Sequence, residues 1–163
     1  MIDPVAYSQG LDYSAVVHIQ NTGDNSYNPA DGSTLLGTTG QSLRMEALTL
    51  SLSGAPLSGG LTYSTHIQNI GWQAAVTEGR VSGTTGRSLR LEAVRISLTG
   101  DMGASYDIYY RTHIQNIGWT GWAKNGQSCG SAGYSYRMEA MQIVIVPKGG
   151  AAPGLNTNYF YQR

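Results

Sequence analysis

Three histidines spaced almost evenly along the chain restrict its fold more than any other feature. His18, His66 and His113 lie 48 and 47 residues apart, and Glu46, Glu92 and Glu139 lie 46 and 47 apart, so two independent markers return nearly the same period. A glycine-rich turn with a fixed sequel joins them: "GTTGQSLRMEALTLSL" from Gly37, "GTTGRSLRLEAVRISL" from Gly83 and "GSAGYSYRMEAMQIVI" from Gly130. The shared pattern is G-x-x-G-x-S-x-R-[LM]-E-A followed by alternating aliphatics. A unit of this size cannot bury its own apolar face, so the repeats are expected to pack around a common axis. The expectation is one pseudo-threefold domain over 1–150, with units at about 11–54, 60–100 and 106–147 and a tail at 151–163.

The period within each unit is that of strands. In "LRLEAVRISL" the residues Arg90, Glu92, Val94, Ile96 and Leu98 fall on one face and Leu89, Leu91 and Ala93 on the other. The segments hold β-branched residues and end at glycines, which disfavours helix. The "HIQN" segments also read as strands. Turns near Glu78-Gly79 and Asn125-Gly126 predict a further hairpin per unit, for roughly four short strands in each. The linkers "SGAPLSGG" and "TGDMGASYD" are too short to separate domains and too glycine-rich for strands. The predicted fold class is therefore all-β, a β-prism by preference and a β-trefoil as the alternative.

Composition narrows function. Ten basic and ten acidic residues cancel, leaving no electrostatic footprint for nucleic acid or for an anionic membrane. No apolar run is long enough to span a bilayer, and "MIDPVAYSQG" lacks the basic and hydrophobic segments of a signal peptide. The one cysteine, Cys129, excludes an internal disulfide framework and a Cys-rich zinc site, and with Leu36 and Ser82 as its repeat counterparts it reads as a small, incidental core or turn residue. No cofactor is implied.

The Gly-Trp dipeptides in "HIQNIGW" ending at Trp72 and Trp119, with "GTTGRSLRLEA" downstream, resemble the clostridial hydrophobic repeats with an invariant tryptophan, called ChW repeats. The resemblance covers most of residues 13–147 in three copies. It implies a bacterial protein that is secreted or attached to the cell surface, with attachment to polysaccharide or other surface ligands as the usual role. The first unit departs from the pattern: it has Thr22-Gly23-Asp24 where the others have Ile-Gly-Trp, and an insertion around "NSYNPADGST".

The polar residues of the motif support two readings. Arg lies two residues before Glu, so both are expected on the strand face of the aliphatics that follow, the core-facing side, where a carboxylate must be ion-paired and hydrogen-bonded. The expected partners of Glu92 are Arg90 on its own strand and His66 and Gln68 across the sheet. This predicts a structural network repeated as His18, Gln20, Arg44 and Glu46, as His66, Gln68, Arg90 and Glu92, and as His113, Gln115, Arg137 and Glu139. The first unit keeps all four residues without its tryptophan, which favours architecture. The tryptophans support the other reading, because a sugar stacks its apolar face on an indole and presents hydroxyls to neighbouring polar groups. Trp72, Trp119, Trp122, Asn69 and Asn116 are the candidate ligand residues. Trp119 and Trp122 are expected on opposite faces of an extended chain, so that at most one is core if a single face is buried and the exposed one is an available platform.

Other chemistries are weaker. His66, Glu92 and Ser88 can be drawn as a hydrolytic triad, but three identical centres in one small domain argue against an enzyme. A three-histidine metal site needs His18, His66 and His113 to converge on the axis, and it fails if each lies beside its own glutamate. The expectation is thus a non-catalytic extracellular binding or adhesion module, recognising carbohydrate on a cell surface or a polysaccharide. The alternative is a structural or protein-interaction module, self-association included. The tail "PKGGAAPGLNTNYFYQR" is either flexible or a closing strand, and "VAYSQGLDYS" at the start is a second candidate for closure.

Overall fold

The computed structural model describes residues 11–29 and 35–163, so part of the first-unit insertion and most of the candidate closing segment at the start lie outside the described residues. Three long antiparallel pairs form the frame: β1 (Asp12–Ile19) with β4 (Met45–Ser53), β5 (Leu61–Ile67) with β9 (Leu91–Leu98), and β10 (Tyr106–Ile114) with β14 (Met138–Pro147). Each pair belongs to one repeat. Alternation selects the inner face of β1, where Tyr13, Ala15, Val17 and Ile19 are buried while Ser14, Val16 and His18 are partly exposed. The inner faces of all three pairs merge into a single core that includes Val17, Leu48, Ile67, Val94, Ile114 and Met141. Ile19, Ile67 and Ile114 hold the same place in the three units and are 2%, 0% and 0% exposed, so no unit owns a core that another could leave. The protein is all-β with three sheets in a threefold arrangement.

The sheets are linked in a ring by strand donation. The glycine-rich turn of each unit leaves its own sheet and pairs with the glutamate strand of the preceding one. Strand β8 (Ser82–Gly83) of the second unit pairs with β4 of the first, and β13 (Cys129–Ala132) of the third with β9 of the second. Strand β3 (Leu36–Gly37) of the first unit closes the ring on β14 of the third. Glycine is required at Gly37, Gly83 and Gly130 for two reasons. Their φ angles are +90°, +109° and +126°, and a Cβ would collide with the carbonyl oxygens of Glu139, Glu46 and Glu92. The residue before each glycine faces the histidine strand of its own unit: Ser82 Oγ lies 2.8 Å from Thr65 Oγ1, and Cys129 Sγ 3.6 Å from Thr112 Oγ1. This explains why Leu36, Ser82 and Cys129 share a repeat position: each is matched to its neighbour, Val17 being the apolar counterpart of the two threonines.

Shorter elements complete the sheets. Strands β2 (Gly23–Tyr27), β6 (Gly71–Trp72) and β11 (Gly118–Trp119) fold back on the histidine strands, and β7 (Val76–Thr77) and β12 (Ala123–Lys124) add short pairings to β5 and β10. The turns at Glu78-Gly79 and Asn125-Gly126 are present, with Gly79 at φ +78° and Asn125 at +48°. The hairpins predicted there are not: after each turn the chain crosses to the neighbouring unit's sheet instead of pairing with the strand before it. The "TGDMGASYD" linker carries a short helix, α1 (Gly100–Ser105), which buries Met102. In the tail, β15 (Phe160–Gln162) pairs in parallel with β13.

Candidate functional site

The polar motif assembles around a β-bulge. Across the second sheet His66 pairs with Ala93 and Ile67 with Leu91, so Glu92 is the residue without a partner. The same slip occurs between His18 and Ile19 and between His113 and Ile114. A bulge resets the alternation, and Leu91, Val94 and Ile96 can all enter the core because Glu92 does not. The expectation that Arg and Glu share the core face with the following aliphatics is therefore wrong. The glutamates lie on the opposite side, buried at 5%, 5% and 6% exposure under the side chains they hold.

In the second unit the Glu92 carboxylate accepts from Arg90 Nε at 3.0 Å and meets His66 Nδ1 at 2.9 Å. The third unit repeats this, with Arg137 Nε at 2.8 Å and His113 Nδ1 at 3.0 Å from Glu139. Both carboxylate oxygens are used. Gln68 does not join the carboxylate as predicted. Its Oε1 accepts the backbone N–H of Arg90, while its own backbone N–H donates to the Arg90 carbonyl, and Gln20 and Gln115 do the same to Arg44 and Arg137. Gln is thus a splint between the two strands at the bulge. Asn69 and Asn116, two of the ligand candidates, are exposed and occupy the hairpin turn at φ +65°, and Asn21 does so at +68° in the first unit. Asn tolerates this left-handed conformation better than most residues.

Trp72 stands directly across the hairpin from His66, their rings edge to face at 5.4 Å, and Trp119 meets His113 likewise at 5.2 Å. Each indole is half-buried on the outer face of its sheet, outside the shared core. Arginines that the motif does not contain complete the setting. The exposed Arg95 lies over Trp72 at 3.8 Å and bonds Ser128 through Nε. Arg111 lies over Trp119 at 4.4 Å and over Trp122 at 5.0 Å, with burial lowering its pKa. One guanidinium touching both rings contradicts the prediction that Trp119 and Trp122 face opposite sides. The strand is interrupted between them, because Gly121 and Trp122 donate to the Asn158 and Leu155 carbonyls of the tail. Trp122 is only 7% exposed, so it does not serve as a platform.

The first unit replaces this arrangement without changing the sheet. Asp24 occupies the position across from His18 and takes its Nδ1 at 2.7 Å, leaving Nε2 3.5 Å from Glu46. Arg44 still holds Glu46 through Nε at 2.6 Å. The three histidines do not converge: each belongs to its own sheet, and no cluster of metal-ligating side chains occurs among the described residues. The triad drawn from sequence is also divided, since His66 bonds Glu92 while Ser88 lies elsewhere. Cys129 is fully buried, and burial pushes its thiol up, the opposite of what a nucleophile needs.

What does converge on the axis is a different set. Gln20, Ser42 and Arg44, Gln68, Ser88 and Arg90, and Gln115, Ser135 and Arg137 line one pocket of about 340 Å³. A pocket built from one equivalent triplet per unit lies on the pseudo-threefold axis. The serines stand at its rim, each in a left-handed conformation at φ +56° to +61°, with the half-buried Gln and Arg below them.

Fold and site together define a threefold all-β repeat module whose polar motif braces its sheets and whose tryptophans lie on their outer faces. The chain belongs to the family described as Clostridial hydrophobic W, whose pattern matches residues 18–54, 66–100 and 113–147. Repeats of this family are typical of bacterial surface proteins. No curated protein and no solved structure matches the chain. Among the described residues no helix is long and apolar enough to cross a membrane.

Proposed function

We propose that the domain is a non-catalytic binding module that attaches to carbohydrate on a cell surface or to a polysaccharide through Trp72 and Trp119. The observation that carries this reading is the first unit. It forms the same bulged sheet, the same Arg–Glu pair and the same Gln splint with Asp24 in place of tryptophan, so the indole is not needed to build a unit. A large half-exposed aromatic that the fold does not require is available for contact. Arg95 and Arg111 beside the rings supply donors for sugar hydroxyls, and the exposed Arg95 can yield the indole face to a pyranose. Two such sites on one rigid domain raise attachment to a polymer through effective concentration.

Titration of polysaccharides and a glycan array against wild type and the Trp72→Ala/Trp119→Ala double variant test the reading. Binding is expected to vanish while circular dichroism stays unchanged. A folded double variant that binds as wild type does removes the site. A protein-interaction role is the second reading, favoured by Ile70 and Val81, which are 44% and 56% exposed near the outer edges of the sheets. Concentration-dependent self-association that Ile70→Ser abolishes would support it.

A further inference from the structure

We infer that the pocket on the pseudo-threefold axis is a site for one multivalent oxyanion, bearing carboxylate, sulfate or phosphate groups. The inference is independent of the tryptophan sites and rests on the direction in which the axial groups are tied. Each glutamine uses Oε1 to accept the backbone N–H of its arginine, which turns its amide NH₂ away from that bond. Each arginine donates Nε to its glutamate, and in the second and third units the histidine takes the other carboxylate oxygen, while Glu46 Oε1 lies 3.5 Å from His18 Nε2. Among the described residues no protein acceptor takes the Nη hydrogens of these arginines. The acceptors of the cluster are thus occupied inward, and the lining is left with guanidinium and amide N–H groups and the hydroxyls of the three rim serines.

No glutamate lines the pocket. A lining of donors, with three cations around about 340 Å³, is complementary to an anion small enough to sit on the axis. The buried carboxylates behind the arginines hold the guanidiniums in place without entering the pocket, so the site is organised before a ligand arrives. Threefold disposition suits a ligand offering oxygens in three directions. Only one such ligand can be held per chain, whereas any site within a single repeat would appear two or three times.

Titration calorimetry on the intact chain at low ionic strength, with citrate, sulfate and inorganic phosphate as separate probes and acetate as the monovalent control, tests the inference. The expected result is saturable binding of at least one multivalent probe at one per chain, stronger than acetate and weakened by added sodium chloride. The three probes distinguish a carboxylate ligand from a sulfate or phosphate one. Arg90→Lys keeps the charge opposite Glu92 but removes the planar fork, and is expected to weaken binding at least about tenfold. The triple variant Ser42→Gly/Ser88→Gly/Ser135→Gly removes the rim hydroxyls at positions whose backbone suits glycine, and it decides the matter where Arg90→Lys fails to fold. Absence of saturable binding by all three multivalent probes, a stoichiometry of three, or affinity unchanged in the folded variants overturns the site.

Discussion

His18 and Asp24 meet at 2.7 Å in the position where His66 and Trp72, and His113 and Trp119, stand edge to face. The carboxylate draws Nδ1 of the first histidine to itself. In the other two units Nδ1 points to the buried glutamate. One substitution across a hairpin thus separates a histidine bound to the unit's framework from one bound to its edge, while backbone register stays the same.

Asp24→Trp is expected to convert the first unit to the arrangement of the others. Register is already equal, so stability should change by less than about 1 kcal/mol. With a third tryptophan edge, saturating glycan binding should rise from two sites per chain to three. A folded variant that still saturates at two would show that the ring is not sufficient.

The glutamates should not be equally costly to neutralise. Glu92→Gln loses the charge that holds both Arg90 and His66, and the cost is expected at about 3 kcal/mol by urea denaturation, as for a broken buried pair. Glu46→Gln should cost less, because His18 is already held by Asp24 and lies 3.5 Å from Glu46. Equal costs would mean that histidine adds nothing to the network.

Ring closure depends on the backbone approach at Gly83. Its φ of +109° is joined to a collision between any added Cβ and the Glu46 carbonyl. Gly83→Ala should therefore cost at least about 2 kcal/mol. Gly86 has a φ of +74° but open space around it. Gly86→Ala carries only the strain of the left-handed backbone, about 1 kcal/mol. Chemical denaturation of the two variants separates collision from strain. A Gly83→Ala cost no larger than that of Gly86→Ala would show that the sheets part easily.

Asp107 supplies a pH dependence. Burial acts to raise its carboxyl, but hydrogen bonds from Lys148, Asn125 and the Gly149 backbone outweigh burial and hold it at about 2. Its folded value lies below the unfolded carboxylate value of about 3.9, so the stabilisation is complete above about pH 4 and lost as pH falls toward 2. The amount is on the order of 2 kcal/mol. Thermal melts between pH 5 and 2 should show Asp107→Asn less stable at pH 5, with the gap from wild type closing toward pH 2. A gap that stays constant across that range would contradict the assignment.

Much of the fold was legible in the chain because repetition multiplies a weak local signal. The β-strands, the three units and the identity of the His, Gln, Arg and Glu network could be read from spacing alone. Of the partners expected for Glu92, Arg90 and His66 are found and Gln68 is not; the face on which they meet could not be read. Glu92 leaves the core face because of a bulge one residue long, and alternation counted along the sequence has no means of registering a residue the partner strand skips. Arg95 and Arg111 were missed because they belong to no repeated motif; only their positions on the sheet bring them to Trp72 and Trp119. Trp122 looked like Trp119 until the tail covered it.

The sequence by itself determined the period, the alternation and the side chains offered to each sheet, since these are local properties of a strand. Tertiary structure alone decided where the glycine turns go. Each turn residue crosses to the sheet of a neighbouring unit, a contact between segments far apart in the chain whose only local trace is a glycine that must admit another backbone. The same closure carries Gln, Ser and Arg from three distant stretches to one axis. No single repeat contains that pocket, because it exists only where three units meet.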